Sequence, residues 1–181
     1  MTIEDTVELL LEQLGFDVFD NPHLHNTPKR MAEMLKELTT PEEFEFTTFK
    51  NTDISHMVTV KAIPFHSLCA HHVLPFYGKA HVAYIPDGVL CGLSKLARTV
   101  KYFSRGLNVQ EEMTEDIKNY LVEKLEDPVG IGVVVEATHL CMVIRGVETP
   151  GLTTTSAMYG AFLDANKGAR EEFLSLVRNG G

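Results

Sequence analysis

Apolar side chains recur every three to four residues through the N-terminal part of the chain. This period predicts one amphipathic helix over residues 2–14 and a second helix that starts at Thr27-Pro28. Residues 40–55 are polar and acidic without a clear period, so we expect a connecting arm there. The sequence thus predicts an N-terminal helix and loop over residues 1–26, followed by a single catalytic domain over residues 27–181.

From Met57 onward the period changes towards two, which is typical of β-strands. The further predicted elements are strands over 57–64 and 77–85, helices over 94–105, about 109–125 and about 166–178, and two strands within 129–148 that meet in a hairpin or bend. Thr153-Thr154-Thr155 is expected in a loop or at a strand edge. Because the helices are grouped and do not alternate strictly with the strands, the predicted fold class is α+β.

Composition and charge narrow the range of partners. The chain has 181 residues, with 16 Lys plus Arg against 25 Asp plus Glu and a net charge of −9. An acidic surface repels polyanions, so we expect no nucleic acid and no membrane as partner, and any phosphate ligand needs a local basic pocket. The three cysteines cannot all pair, and a reducing cytoplasmic location is predicted.

Two short clusters combine cysteine with histidine. Cys69 and His72 lie three residues apart between strand candidates, and His139 precedes Cys141 by two. Thiolate and imidazole are zinc ligands, and three protein ligands with one open position are typical of a catalytic zinc. If residues 139–145 are extended, His139, Cys141 and Arg145 share one strand face. The alternative is that the thiols are ordinary buried apolar groups and the histidines structural.

Charged residues form the other candidate site. In the helix predicted over 94–105, Lys95 and Arg98 lie on one basic face that begins near Ser94, and such a face is either solvated or an anion site. Arg145, flanked by apolar residues, calls for an anionic partner. Glu111 either caps its helix or accepts two hydrogen bonds from a purine edge.

These motifs, in this order, resemble those of GTP cyclohydrolase I. The similarity is carried by Ser67-Leu68-Cys69-Ala70-His71-His72, Gly92-Leu93-Ser94-Lys95-Leu96-Ala97-Arg98, Val109-Gln110-Glu111, His139-Leu140-Cys141 with Arg145, and Thr27-Pro28-Lys29-Arg30. The resemblance implies a tunnelling fold, in which antiparallel sheets of several subunits join into a barrel with helices on one face. It also implies a toroidal homodecamer with active sites at subunit interfaces.

The resemblance further implies a zinc-dependent hydrolase that converts GTP and water to 7,8-dihydroneopterin triphosphate and formate. Formation of this product is the first step of tetrahydrofolate, other pteridine or 7-deazaguanine biosynthesis. By the same resemblance, Cys69, His72 and Cys141 bind Zn²⁺, and His71 and His139 act as acid–base catalysts. The implied substrate contacts are Glu111 with guanine, Ser94 and Gln110 with the nucleoside, and Lys95, Arg98, Arg145 and a neighbouring subunit's Arg30 with the triphosphate.

Two other functions fit parts of the pattern. A related tunnelling-fold enzyme acting on a pterin or deazaguanine would keep Glu111 but needs no metal triad. A non-catalytic, zinc-stabilised oligomer that binds purine nucleotides would keep the triad, but it would leave His71 and His139 without a role.

Overall fold

The structure, a computed structural model, describes residues 1–164, 166 and 168–178. Residue 167 of the predicted final helix and residues 179–181 of the predicted domain lie outside the described residues. The chain forms two compact units, Met1–Thr40 and Pro41–Gly181. No helix in the described part of the chain is both long and apolar enough to cross a membrane.

The first unit contains two helices, α1 (Ile3–Gln13) and α2 (Thr27–Thr39). Helix α1 begins with a capping box: the Thr2 hydroxyl accepts from the Asp5 N–H, and the Asp5 carboxylate accepts from the Thr2 N–H. Because the capping box satisfies two N–H groups that have no partner within the helix, the short helix has a defined start. Pro28 lies in the first turn of α2, where its missing N–H has no cost.

The second unit combines seven strands with four helices among its described residues. They are β1 (Thr48–Lys50), β2 (Val58–Cys69), β3 (Pro75–Ile85), β4 (Val89–Cys91), α3 (Leu93–Ser104), β5 (Leu107–Asn108), α4 (Gln110–Lys124), β6 (Gly130–His139), α5 (Leu140–Val143), β7 (Leu152–Gly160) and α6 (Ala169–Arg178). The α+β class predicted from the grouping of helices and strands is confirmed.

Five of these strands make one sheet in the order β5-β2-β3-β6-β7. All neighbours are antiparallel except β2 and β5, which run parallel at Leu68↔Leu107 and Cys69↔Asn108. Strands β1 and β4 form a separate antiparallel pair. The pairing of β3 with β6 sets Phe76 opposite His139, so it brings the end of β6 beside the turn that follows β2.

Helices α3 and α4 pack against one face of the large sheet. Leu96, Val100, Ile117 and Leu121 are fully buried there, in one cluster with Val133 and its same-face neighbours on β6. Residues at alternate positions of a strand face the other way. Val134 accordingly packs in a second, smaller cluster with Phe162 and with Phe173 of α6.

Two strand predictions differ from the structure. Residues 129–148 do not form two strands: β6 ends at His139, and Leu140–Val143 is a helical turn. Strand β2 continues past residue 64 to Cys69, because β3 pairs with it as far as Leu68. Thr153-Thr154-Thr155 lies within the edge strand β7, in agreement with the strand-edge alternative.

Candidate metal centre and substrate site

A tight turn after β2 brings Cys69 and His72 together. The Cys69 carbonyl accepts from the Val73 N–H at 2.8 Å, and the Cys69 N–H donates to the Leu74 carbonyl at 2.8 Å. With the chain folded back in this way, His72 Nδ1 lies 3.9 Å from Cys69 Sγ. Asn108 braces the same turn, since its carbonyl accepts from the Ala70 N–H at 3.0 Å.

Cys141 completes a group of three donors from a distant part of the chain. It is the second residue of α5, which follows directly on β6. The donor atoms of Cys69, His72 and Cys141 all lie within 4.8 Å of one another. Two thiols and one imidazole are a zinc donor set, and donors this close fit a single ion with an open fourth position.

The surroundings of the thiols are consistent with a cation at this position. Cys69 is buried and Cys141 is half-buried, and both are free cysteines. Burial raises the pKa of the Cys141 thiol, and the neighbouring Cys69 raises it further, whereas Arg145 opposes the shift. Two adjacent thiolates repel each other, and a divalent cation between them would remove that repulsion.

His71 lies beside the donor group without belonging to it. Its Nδ1 is 3.7 Å from Cys69 Sγ, and its exposed ring lies edge-on to His72 with the centroids 6.2 Å apart. The described group of three mutually close donors contains His72 and not His71. The two neighbouring histidines therefore have different surroundings, as expected if only one of them binds the metal.

His139 is held on two sides. Its ring stacks on Phe76, with centroids 4.6 Å apart and planes 2° from parallel. Its Nε2 lies 2.7 Å from Oε1 of Gln110. Burial lowers the pKa of His139, and the charge of Glu111 partly offsets this shift. Because the ring is fixed by stacking and by a short hydrogen bond, only one of its nitrogens is free for another partner.

Gln110 is buried, with 2% of its surface exposed. Its Nε2 lies near the carbonyl oxygens of Val135 and Thr153 and near Oγ1 of Thr155, at 3.1, 3.2 and 3.1 Å. Both polar atoms of the side chain are thus bound within the protein. The next residue, Glu111, is exposed in the first turn of α4, where negative charge is favourable.

The predicted cationic residues have different surroundings. Ser94, Arg98, Lys101 and Arg105 line one cleft of about 510 Å³, and none of its three cations forms an ion pair within the described residues. Lys95 Nζ instead donates to the Glu45 carbonyl at 2.7 Å.

The two other arginines predicted to bind substrate, Arg145 and Arg30, are associated with helices α5 and α2 and not with strands. Arg145 is exposed and follows α5, so the expectation that it shares a strand face with His139 and Cys141 is wrong: Cys141 reaches the donor group through a helical turn, not through strand alternation. Arg30 belongs to α2 in the first unit.

The chain is similar to known proteins over nearly its whole length. The profile of the family described as GTP cyclohydrolase I matches residues 3–178. GTP cyclohydrolase 1 of Aquifex aeolicus is 50% identical over 178 residues, which cover 97% of this chain and 95% of that protein. This chain belongs to the GTP cyclohydrolase I family. GTP cyclohydrolase 1 of a Sulfurihydrogenibium species is 48% identical over 179 residues, covering 98% and 94% of the two chains.

These similarities confirm the predicted family. They also confirm the predicted enzyme activity, the conversion of GTP to dihydroneopterin triphosphate. Among solved structures, the archaeosine synthase QueF-like in the apo form is similar, with a TM-score of 0.46 and 19% identity. That similarity covers 60% of this chain and 97% of the other.

Three residues that shape this site are not among the site residues predicted from the sequence. Thr155 and Thr114 complete the surroundings of Gln110, with their hydroxyl oxygens 2.7 Å apart. Asn108 Nδ2 donates to Ser67 Oγ at 2.9 Å and to the Phe103 carbonyl at 3.0 Å. The sequence predicted a loop or a strand edge for the threonine run, and local propensity assigned it no chemistry.

Proposed function

We propose that the protein opens the guanine ring of GTP at a zinc centre held by Cys69, His72 and Cys141. The observation that carries the proposal is this group of three donors, drawn from two distant segments, in a GTP cyclohydrolase I chain. Zinc bound there supplies Lewis-acid activation of water at neutral pH. The overall reaction consumes one water, releases C8 as formate and recloses the skeleton as 7,8-dihydroneopterin triphosphate.

Proton transfer is assigned to the two histidines that flank the donor group. His71 is exposed and 3.7 Å from the Cys69 sulfur, so it can exchange protons with substrate and solvent. His139 has a pKa lowered by burial, which favours its neutral form at physiological pH. Ring opening and reclosure need several proton transfers, and positioned imidazoles can both accept and donate protons.

Guanine recognition is assigned to Glu111. A guanine edge presents N1–H and the 2-amino group side by side, and one ionised carboxylate can accept from both. Glu111 lies in the first turn of α4, at the helix end where an anionic side chain is stabilised. Ser94 and Gln110 complete the nucleoside contacts. Since the Gln110 side chain is already hydrogen-bonded within the protein, we assign its nucleoside contact to its main chain.

Triphosphate binding is assigned to Lys95, Arg98, Arg145 and Arg30. Arg98 lines a cleft in which no cation has a carboxylate partner among the described residues, although Arg105 Nη1 lies 3.0 Å from His66 Nε2. Cations without a carboxylate partner suit an anionic ligand. Lys95 can release the Glu45 carbonyl, a neutral partner, for a phosphate oxygen. Arg30 is proposed to act from a neighbouring subunit.

We propose a homo-oligomer, a decamer, in which sheets of several subunits join into a barrel with active sites at their interfaces. Its support is the exposed sheet edge: within the described part of the chain β7 pairs on one side only, and Leu152 at its start and Leu163, three residues beyond its end, are 63% and 65% exposed. Unpaired edges and exposed apolar side chains are typical of surfaces that pair with another chain. A cytoplasmic location, with residues 27–181 as the catalytic domain, is part of the same proposal.

The direct test is product analysis. Zinc-loaded protein is incubated with GTP, and formate and the fluorescent pterin obtained after oxidation are measured together. Equal amounts of formate and pterin are expected, with ATP as the matched control nucleotide giving neither. Phosphate release from GTP without formate would contradict the proposed reaction.

A further inference from the structure

The Gln110 amide has only one orientation that satisfies its neighbours. Its Nε2 lies 3.1 Å from the Val135 carbonyl oxygen and 3.2 Å from the Thr153 carbonyl oxygen. Carbonyl oxygens only accept hydrogen bonds, so the amide NH₂ must face them. Turning the amide over would place Oε1 against two acceptors in a buried position. Oε1 therefore faces His139, and it can only accept.

The two threonines fix the same orientation independently. Thr114 Oγ1 lies 2.7 Å from the Gln110 carbonyl oxygen, so its single proton is donated there. In the 2.7 Å contact between the Thr114 and Thr155 hydroxyls, Thr155 must then be the donor. Thr155 Oγ1 is left as an acceptor, and Gln110 Nε2 faces it at 3.1 Å, so the two N–H groups of the amide are shared among this hydroxyl and the two carbonyls. These hydrogen bonds form a closed ring with one consistent direction.

The ring determines which nitrogen of His139 carries a proton. Since Gln110 Oε1 accepts, the His139 Nε2 at 2.7 Å must be the donor. A neutral imidazole has one N–H, so its other nitrogen, Nδ1, bears the lone pair. The parallel stacking on Phe76 helps to hold the ring in its plane, with Nε2 directed at Gln110.

We propose that Gln110 is a positioning residue: its Oε1 accepts from the His139 Nε2–H, and this bond holds the His139 ring in one tautomer and one orientation. The inference rests on the proposed acid–base role of His139. It assigns the Gln110 side chain to the histidine and not to the nucleoside. Gln110 and Thr114 are 2% and 1% exposed, so water cannot easily substitute for either of these two residues.

Nitrogen NMR of ¹⁵N-histidine-labelled, zinc-loaded protein at about pH 8, above the ordinary imidazole pKa, tests the tautomer directly. The His139 signals are identified by their loss in His139→Gln. In the wild type, Nε2 is expected to be the protonated nitrogen. A wild-type His139 protonated mainly at Nδ1 would overturn the inference, and this measurement needs no variant of Gln110 to fold.

The matched variants are Gln110→Met and Thr155→Val. Methionine removes the acceptor of the His139 N–H at similar side-chain volume, so His139 should show both tautomers. We expect kcat to fall at least about tenfold, while KM for GTP stays nearly unchanged and zinc is retained. Thr155→Val disturbs the same pocket but leaves Gln110 between the two carbonyls, so the wild-type nitrogen pattern should persist. A raised KM with unchanged kcat in Gln110→Met would instead assign this side chain to the nucleoside.

Failure of the inference is distinguishable from failure of the proposed function. The tautomer is measured without substrate, whereas the function is measured by formate release from GTP. Wild-type protein that releases formate but carries its His139 proton on Nδ1 would contradict only the role of Gln110.

Discussion

His71 and His72 are neighbours in the chain, yet the turn after β2 gives them different surroundings. His72 belongs to the group of donors within 4.8 Å of one another, and His71 does not. We expect His72→Ala to lose both zinc and turnover. His71→Ala should keep one zinc per chain and lose turnover by about 10²-fold or more, the usual contribution of a positioned acid or base.

Metal analysis by mass spectrometry, paired with formate release, checks this division of roles. Equal zinc content in the two variants would show that the division is wrong. The exposed His56, which is remote in sequence from the turn, supplies a matched His→Ala control that should keep both properties.

Glu111 and Glu112 are both exposed in the first turn of α4, and only Glu111 is assigned to guanine. Glu111→Gln keeps the size of the side chain but replaces one acceptor by an NH₂ donor that faces the guanine donors. We expect GTP turnover to fall at least tenfold, since an unsatisfied polar group costs about 1–3 kcal/mol. Zinc content and assembly should persist.

Glu112→Gln is the matched control, because it removes the same charge from the same helical turn. Steady-state formate release compares the two variants. Near-normal turnover by Glu111→Gln would return Glu111 to a purely capping role.

Residue types alone sufficed to indicate a candidate metal site, and the family resemblance chose its three donors, but neither predicted the surroundings of His139. Cysteine and histidine at close spacing indicate a metal site before any fold is known. The bond between Gln110 and His139 joins residues 29 positions apart, and Thr155 is a further 16 positions along the chain. Such contacts depend on the packing of α4 against β6 and β7, which no local pattern encodes.

At the scale of elements, the segment over 129–148 shows where periodicity fails. Its apolar and β-branched residues favour strands throughout, and β6 follows that propensity as far as His139. The four residues of α5 are too few to show a helical period. Gly146, at φ +69°, then turns the chain towards β7. The helical turn is what places Cys141 in the donor group.

The pairing of β3 with β6 depends on a glycine. A Cβ added to Gly78 would fall on the carbonyl oxygen of Glu136 in the neighbouring strand, and this backbone atom cannot move alone. We expect Gly78→Ala to lower the free energy of unfolding by at least about 2 kcal/mol, as overpacking does. Because the same pairing carries His139 and Cys141 to the turn after β2, zinc affinity should fall as well.

Urea-induced unfolding measures this effect. Gly88→Ala is the matched control, because no heavy atom lies within 4 Å of its added Cβ, and it should unfold like the wild type. Equal stability of the two variants would contradict the close approach of β3 and β6.

On the scale of the whole molecule, the chain has a net charge of −9, so the cationic residues proposed to bind the substrate differ in sign from most of its charged groups. The proposed site takes Arg30 from one subunit and His139 from another. Arg30→Ala and His139→Ala subunits should each be inactive alone. Mixed oligomers should recover about a quarter of the wild-type activity, since one site in four combines two intact halves.

The mixture is prepared by unfolding and refolding the two variants together, and its composition is verified by native mass spectrometry before formate release is measured. Verified mixed oligomers without activity would contradict a site shared between subunits. The oligomeric arrangement itself was implied only by the family resemblance, since a sequence period reports which face of an element is buried but not which chain buries it.

The central claim is that the three donors of Cys69, His72 and Cys141 form the zinc centre on which GTP conversion depends. Its most direct test is zinc content together with formate release in Cys141→Ala, with Cys91→Ala as the control, since Cys91 is a buried free cysteine outside the donor group. We predict that Cys141→Ala loses both zinc and formate release, while Cys91→Ala keeps one zinc per chain and remains active. Full zinc occupancy or undiminished formate release in Cys141→Ala would contradict the claim.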